Sequence, residues 1–81
     1  MAKTIHSARL RRLTEILTER RKEAGLTQAD VARAMGRHQP FIANIESGQR
    51  RIDIVELMQL AEIMELNLHE VLEELKRVAP E

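Results

Sequence analysis

The sequence predicts an all-α fold, and three observations support this class. Leu, Ala, Met, Glu and Arg, all strong helix formers, dominate the composition, which has only two prolines and three glycines. Apolar residues recur at steps of three and four, the period of an amphipathic helix. Capping residues and glycines divide these stretches into five segments. The 81 residues suit one small domain of five helices over 7–77, between a loose arm at 1–6 and a frayed tail at 78–81.

The first two helices have clear start and stop signals. Ser7 can cap the first helix and Gly25 can end it, since glycine tolerates the left-handed conformation that follows a last turn. Thr27 opens the second helix with Asp30 at the spacing of a capping box, and Gly36 ends it. The second helix is too short to be stable alone, so it must pack on its neighbours. The apolar positions of the two helices are Leu10, Leu13, Ile16, Leu17, Val31, Ala32 and Met35.

The third helix begins at a proline. Backbone N–H groups in the first turn have no intrahelical acceptor, so Pro40 loses nothing there and its fixed φ suits the helix. The cap is then His38 or Gln39, and the restriction that proline places on its predecessor slightly favours Gln39. Gly48 ends the helix. Its inner side carries Ile42, Ile45 and Glu46, and its small, polar outer side carries Pro40, Ala43, Asn44 and Ser47.

The last two helices repeat the same signals. Asp53 caps the fourth helix with Glu56 at the capping-box spacing, and Asn67 with Glu70 does so for the fifth. The positions expected to line the fourth helix are Ile54, Leu57, Leu60, Ala61 and Met64. Those expected on one face of the fifth are Leu68, Val71, Leu72 and Leu75.

The charges are distributed unevenly, although the formal net charge is zero. Residues 1–51 contain eleven Lys and Arg but five Asp and Glu, whereas residues 52–81 contain two and eight. This asymmetry indicates a polyanion bound by the basic half. The alternative is that the two halves are unrelated solvated faces.

Several classes of protein and site are disfavoured. Cysteine is absent, which excludes disulfides and thiolate metal sites, and His6, His38 and His69 lack metal-ligand spacing, so we expect no metal or cofactor. No apolar run approaches the roughly 18 residues that span a bilayer, and no secretory signal is apparent, which predicts a cytoplasmic protein without a membrane partner. No triad, paired-carboxylate or glycine-rich phosphate motif has usable spacing, so we do not expect an enzyme.

The segment 28–47, "QADVARAMGRHQPFIANIES", is the basis for a function. Two short helices joined at Gly36 must cross at close range, and Ala32 is small where they would meet. This is the helix-turn-helix arrangement, whose second helix enters the DNA major groove with its N-terminus first.

From Leu10 to Leu75 the sequence resembles the Cro and phage-repressor-like helix-turn-helix proteins of the xenobiotic-response-element (XRE) class. The resemblance rests on "GLTQADVARAMG", "QPFIANIESG" and "DIVELMQLAEIMELNLHEVL" in this order and spacing. It implies a compact five-helix, lambda-repressor-like DNA-binding domain, dimeric binding to a two-fold operator and transcriptional control. It further implies a cytoplasmic, nucleoid-associated protein of bacterial or phage origin.

The resemblance also implies which residues contact DNA. It places Gln39, Pro40, Ala43 and Asn44 at base-facing positions, where amides suit adenine and the small apolar groups suit a thymine methyl. Contacts to phosphates are expected from Gln28, Arg37, His38, Ser47, Arg50 and Arg51. The alternative is that these are ordinary solvated residues. Arg37 and His38 depart from the family, which usually has an apolar residue and a small capping residue there, and the role of Phe41 is left open.

Two further expectations concern structure and assembly. The family alignment pairs Arg21 with Glu46, and because Glu46 lies on the inner side of its helix we expect an internal salt bridge rather than a catalytic acid. We expect a homodimer whose interface uses Leu72, Leu75 and Val78, which extend beyond what a small bundle can cover. No ligand-sensing domain fits in the chain, so no small-molecule ligand is expected. The alternative function is an antitoxin-type protein that neutralises a toxin and represses its own operon. The sequence specifies neither the operator nor the genes controlled.

Overall fold

The computed structural model of the protein describes residues 7–80, which form five α-helices and no strand. The helices are α1 (Ala8–Glu23), α2 (Gln28–Ala34), α3 (Gln39–Glu46), α4 (Ile54–Met64) and α5 (Leu68–Lys76). They confirm the predicted all-α, five-helix fold. The arm expected at 1–6 and the last residue of the expected tail lie outside the described residues.

The helix starts follow the capping signals. The Ser7 hydroxyl accepts a hydrogen bond from the Leu10 N–H at 3.1 Å. Thr27 and Asp30 form a reciprocal capping box, with the Asp30 N–H donating to the Thr27 hydroxyl at 3.0 Å and the Thr27 N–H to the Asp30 carboxylate at 2.8 Å. Asp53 and Glu56 do the same for α4. For α5 only the Asn67 half of the box forms. The predicted capping residues of α1, α2, α4 and α5 are therefore confirmed, but the Glu70 half of the signal predicted for α5 is not.

The start of α3 differs from the favoured expectation. His38 is the capping residue, in extended backbone conformation and without a side-chain cap bond, and Gln39 is already helical. The preference for Gln39 as the cap was therefore wrong. The local restriction that Pro40 imposes on Gln39 is overcome by tertiary structure, because the Gln39 amide is hydrogen-bonded to Gln28 of α2 at 2.7 Å.

The core draws on all five helices. Its buried side chains are Leu13, Leu17, Val31, Ala32, Ile42, Ile45, Leu57, Leu60, Met64 and Val71. One position expected to line its helix was wrong: Ile54 is 63% exposed. Ile54 lies in the first turn of α4, where helical periodicity marks it as inward but the other helices leave most of it uncovered. Leu72, which was expected to extend beyond the bundle, is 49% exposed one position past the buried Val71 on α5.

Candidate nucleic-acid interface

The helices α2 and α3 pack against each other through Val31, Ala32, Ile42 and Ile45, each at most 2% exposed. The turn between them contains Gly36, whose φ of 71° lies in the left-handed region that glycine adopts without steric cost. This packing buries one side of α3 and leaves the other to solvent. The two helices therefore form the helix-turn-helix unit expected of residues 28–47.

The four residues proposed to face bases lie together on the outer side of α3. Gln39, Pro40 and Asn44 are exposed and Ala43 is half-buried. Because residues three and four apart on a helix are neighbours, Ala43 adjoins both Gln39 and Pro40, and Asn44 adjoins Pro40, so the four positions form one strip that begins at the N-terminal turn. The side chains of the strip are small or polar. Small side chains let a helix approach the edge of a groove closely.

A chain of hydrogen bonds connects this strip to the interior. The Gln39 Nε2 donates to Gln28 Oε1 at 2.7 Å, and the Gln28 Nε2 donates to Glu46 Oε1 at 2.9 Å. Glu46 also accepts from Arg21, whose Nε is 2.7 Å from Oε2 and whose Nη2 is 3.1 Å from Oε1. Elements α1, α2 and α3 are thereby linked from a buried ion pair outward to an exposed amide.

The ion pair at the inner end joins Arg21 and Glu46 where little water reaches it. Their side chains are 11% and 9% exposed. A third guanidinium contact runs from Arg21 Nη1 to the Leu26 carbonyl at 2.8 Å. The Glu46 carboxylate raises the pKa of Arg21 by accepting these hydrogen bonds, despite the opposing effect of burial. The pair serves the structure, since every Glu46 contact described is to a side chain of the domain itself.

The ionised carboxylate of Glu46 sets the orientation of both amides. A carboxylate can only accept hydrogen bonds, so the NH₂ group of Gln28 must face Glu46 and its carbonyl must face Gln39. Gln39 must then use its own NH₂ group to reach Gln28. Its carbonyl oxygen and one remaining N–H are left for a partner outside the protein.

The residues expected at phosphates lie at both ends of α3. Arg37 and His38 are exposed in the turn before the helix, and Ser47 caps its C-terminus. Arg51 is exposed and Arg50 half-buried in the loop that follows. Gln28 is half-buried at the start of α2 beside Gln39. These candidates flank α3 in the sequence, but in space the guanidinium groups of Arg37 and Arg50 come together at one place beside Phe41.

Phe41 and Glu56 were not recognised from the sequence as part of this surface. The guanidinium carbons of Arg37 and Arg50 lie over the ring of Phe41, 4.3 and 4.4 Å from its centroid. Arg50 also makes a two-bond contact with Glu56, at 3.0 and 3.1 Å. This contact and the Asp53 N–H lower the pKa of the Glu56 carboxyl, although its burial acts in the opposite direction. Phe41 is the single aromatic residue of the chain, the one signal that could have singled it out.

Other kinds of site receive no support from the described part of the chain. Over residues 7–80 no group of three or more His, Asp or Glu side chains is arranged to hold a metal ion. Within the same residues no helix is both long enough and apolar enough to cross a bilayer.

Comparison with known proteins agrees with this geometry. A family model described as helix-turn-helix matches residues 17–71. Among solved structures, the chain is similar to an XRE-family like protein from Pseudomonas syringae pv. tomato str. DC3000, with 35% identity and a TM-score of 0.83. That alignment covers 95% of this chain and 94% of the other. A search of curated proteins found no match.

Proposed function

Because the chain belongs to the Cro/XRE-like helix-turn-helix family of DNA-binding transcriptional regulators, we propose that it is a sequence-specific repressor that binds a palindromic operator as a homodimer. In this proposal α3 enters the major groove with its N-terminus first, and repression results from occupying the operator. The observation that carries the proposal is the oriented amide of Gln39 at the exposed start of α3.

Gln39 has the hydrogen-bonding groups that adenine requires. Its free carbonyl oxygen can accept from adenine N6 while its remaining N–H donates to N7, the pairing by which glutamine reads adenine in the major groove. The chain of bonds through Gln28 to Glu46 restricts the Gln39 side chain before DNA arrives. Less rotamer entropy is then lost on binding.

The other three positions of the strip complete the proposed readout. Asn44 is exposed one helical turn beyond Pro40 and offers a second amide to a base edge. Ala43 and the ring of Pro40 present small apolar surfaces that fit a thymine methyl group. We therefore propose Gln39, Pro40, Ala43 and Asn44 as the base-contacting residues, reading a half-site of a few base pairs.

The flanking residues are proposed to hold the DNA backbone. Gln28 retains one amide N–H after donating to Glu46, enough for a phosphate oxygen beside Gln39. Arg37 and His38 precede α3, and Ser47, Arg50 and Arg51 follow it. Backbone contacts at both ends of a recognition helix set its position along the groove without reading sequence. The basic half of the chain supplies them, which accounts for charge segregation in a neutral protein.

Dimerisation is proposed because one recognition helix reads too little DNA for tight binding, and because the acidic half exposes apolar surface. Leu72 is half exposed on α5, and Leu75 and Val78 follow it partly exposed. On α4, Ile54, Val55 and Met58 are 63%, 61% and 47% exposed. Apolar side chains at this density on a small domain favour a protein partner. We propose a second copy, which would present two α3 helices to half-sites about 34 Å apart.

Selection of bound sites from a pool of random duplex DNA tests the proposal, using the full chain. We expect enrichment of a palindrome whose two half-sites are centred about one helical turn apart. A matched selection with Gln39→Ala/Asn44→Ala should retain weak binding but enrich no sequence. If the selection enriches a single asymmetric half-site instead, the homodimer part of the proposal is wrong. The proposal as a whole fails if the parent chain binds no duplex, or if both proteins enrich the same sequence.

A further inference from the structure

We propose that Arg37 in the α2–α3 turn binds a DNA phosphate through a guanidinium group that is held in place by the ring of Phe41, a positioning residue. The proposal rests on the proposed function, because the anion is taken to be a backbone phosphate of bound DNA. Arg50, also proposed to face the backbone, has a second task in this arrangement, since it neutralises the buried Glu56.

The first step is that the two arginines share one ring, but only Arg50 is hydrogen-bonded to the Glu56 carboxylate. Both guanidinium carbons lie within 4.4 Å of the Phe41 centroid. Arg50 Nη1 and Nη2 donate to the two oxygens of Glu56, and Nη1 donates also to the Arg51 carbonyl at 2.8 Å. Arg37 reaches the same carboxylate only at 3.7 Å, longer than a hydrogen bond. The hydrogen-bond acceptors of this cluster are therefore used by Arg50, and the N–H groups of Arg37 remain available.

The second step concerns charge. Glu56 is 7% exposed and carries one negative charge for the two arginines, so Arg37, Arg50 and Glu56 together have one positive charge in excess. That excess is located at Arg37, the more exposed of the two arginine side chains at 48% against 38%. An anion approaching from solvent meets Arg37 without displacing the Arg50–Glu56 pair. An arginine fork matches a phosphate group well.

The third step identifies the anion by position. Arg37 precedes α3, Phe41 lies in its first turns and Arg50 follows it, so the cluster adjoins the base-facing strip. When α3 occupies a major groove, the groups just outside the strip face the backbone that borders the groove. A phosphodiester is therefore the anion that this side chain would meet.

The fourth step is the contribution of the ring. A guanidinium over an aromatic face gains about 0.5–1 kcal/mol at an exposed site, and stacking restricts a side chain that otherwise has many rotamers. Phe41 is half-buried on α3 and packs against the core, so its ring is itself held in place. Arg37 is thus restrained before DNA binds. The family usually has an apolar residue at this position. In this proposal the arginine of this chain differs from it because it binds a phosphate, and not because the turn packs irregularly.

The test measures binding of the full chain to its selected operator and to a random duplex over a series of salt concentrations. Arg37→Ala should weaken binding to both duplexes by the same factor, about tenfold for a lost charge-assisted contact. It should also lower the slope of log affinity against log salt by about 0.9, the value for one phosphate. Arg33→Ala is the matched control, since Arg33 is 73% exposed on α2 and pairs with Asp30. It should leave the slope unchanged.

The positioning role of the ring needs its own variants. Phe41→Leu keeps an apolar side chain and should cost about two- to fivefold in affinity on both duplexes, whereas Phe41→Tyr keeps the ring and should bind like the parent. In the double variant Arg37→Ala/Phe41→Leu the two losses should not multiply, because the ring acts through Arg37. In the parent, NMR should show the side-chain protons of Arg37 shifted upfield relative to those of Arg33 by the ring current. This measurement remains informative even if Phe41→Leu unfolds.

The outcomes separate the two proposals. Absence of any duplex binding by the parent chain would overturn both the proposed function and the phosphate site. If the parent binds but Arg37→Ala has the same salt slope as Arg33→Ala, the phosphate site alone is overturned. If the losses in the double variant multiply, or the Arg37 protons show no ring-current shift, the positioning role of Phe41 is overturned.

Discussion

The outer face of α3 and the exposed apolar side chains of α4 and α5 have opposite chemistry. The α3 face presents two amides and small groups, with arginines before and after the helix. The exposed apolar side chains are Ile54, Val55 and Met58 on α4 and Leu72 on α5, in a half of the chain rich in acids. Polar groups held in fixed positions suit the recognition of a DNA sequence, whereas exposed apolar groups suit burial against another protein. We therefore propose the first surface for DNA and the second for a protein partner.

The largest effect is expected at the ion pair that supports the α3 face from within. Arg21→Met and Glu46→Gln should each lower the free energy of unfolding by about 3–5 kcal/mol, because the remaining partner is left buried with its charge or hydrogen bonds unmet. Urea unfolding followed by circular dichroism measures this. The double variant should lose less than the sum of the two singles. Single variants that unfold like the parent would show that the pair contributes nothing to stability.

The next effect tests the apolar face. Leu72→Glu should give a folded monomer whose operator affinity falls by about 100-fold or more, because the advantage of linking two half-site contacts is lost. Leu72 is preferred to Leu75 for this test, since Leu75 packs partly against the core. His69→Glu adds charge at another exposed position of α5 and is the matched control. Sedimentation with and without operator distinguishes the two. A parent chain that is monomeric in both conditions would contradict the assignment of this face.

The two regions also differ in how much of them the sequence could predict. Helix starts depend on residues three apart, such as Thr27 with Asp30, so local chemistry suffices to find them. The exposure of Ile54 depends on where the neighbouring helices end, which the periodicity of α4 does not show. The cluster of Arg37, Phe41, Arg50 and Glu56 was missed for a similar reason. Its members come from a turn, a loop and two helices, and only tertiary packing brings them together.

The α3 face should lose specificity when its amides are removed. Gln39→Ala and Asn44→Ala should each weaken binding to the selected operator by about 1–3 kcal/mol while leaving affinity for random duplex nearly unchanged, because both side chains are proposed to contact bases. Competition titrations with the two duplexes measure the difference. Gln59→Ala, an exposed glutamine on α4, is the control and should alter neither affinity. Equal losses on both duplexes would contradict base reading.

The smallest effect on stability is expected at the residues that end the helices, which differ between the two regions. Gly25, Gly36 and Gly48 follow α1, α2 and α3 in left-handed conformation, whereas α4 is closed by Glu65 at φ 55° and ψ 46°. The Glu65 backbone is held there because the Leu66 N–H donates to the Ala61 carbonyl at 2.8 Å and Arg20 Nε donates to the Met64 carbonyl at 3.1 Å. A residue with a Cβ pays about 1–2 kcal/mol for this conformation, and glycine avoids that cost but loses more backbone entropy on folding.

Replacing Glu65 by glycine should therefore stabilise the domain by about 0.5–1 kcal/mol, the remainder after these two terms oppose each other. Gly36→Ala is the reverse change in the DNA-binding region. A methyl group there would meet no atom within 4 Å, so only the backbone conformation opposes it. Because the same two terms oppose each other, it should destabilise by about 0.5–1 kcal/mol. Thermal melts of the two variants should shift in opposite directions from the parent. A lower melting temperature for both variants would mean that the Glu65 side chain makes a contribution in the acidic half that outweighs its backbone strain.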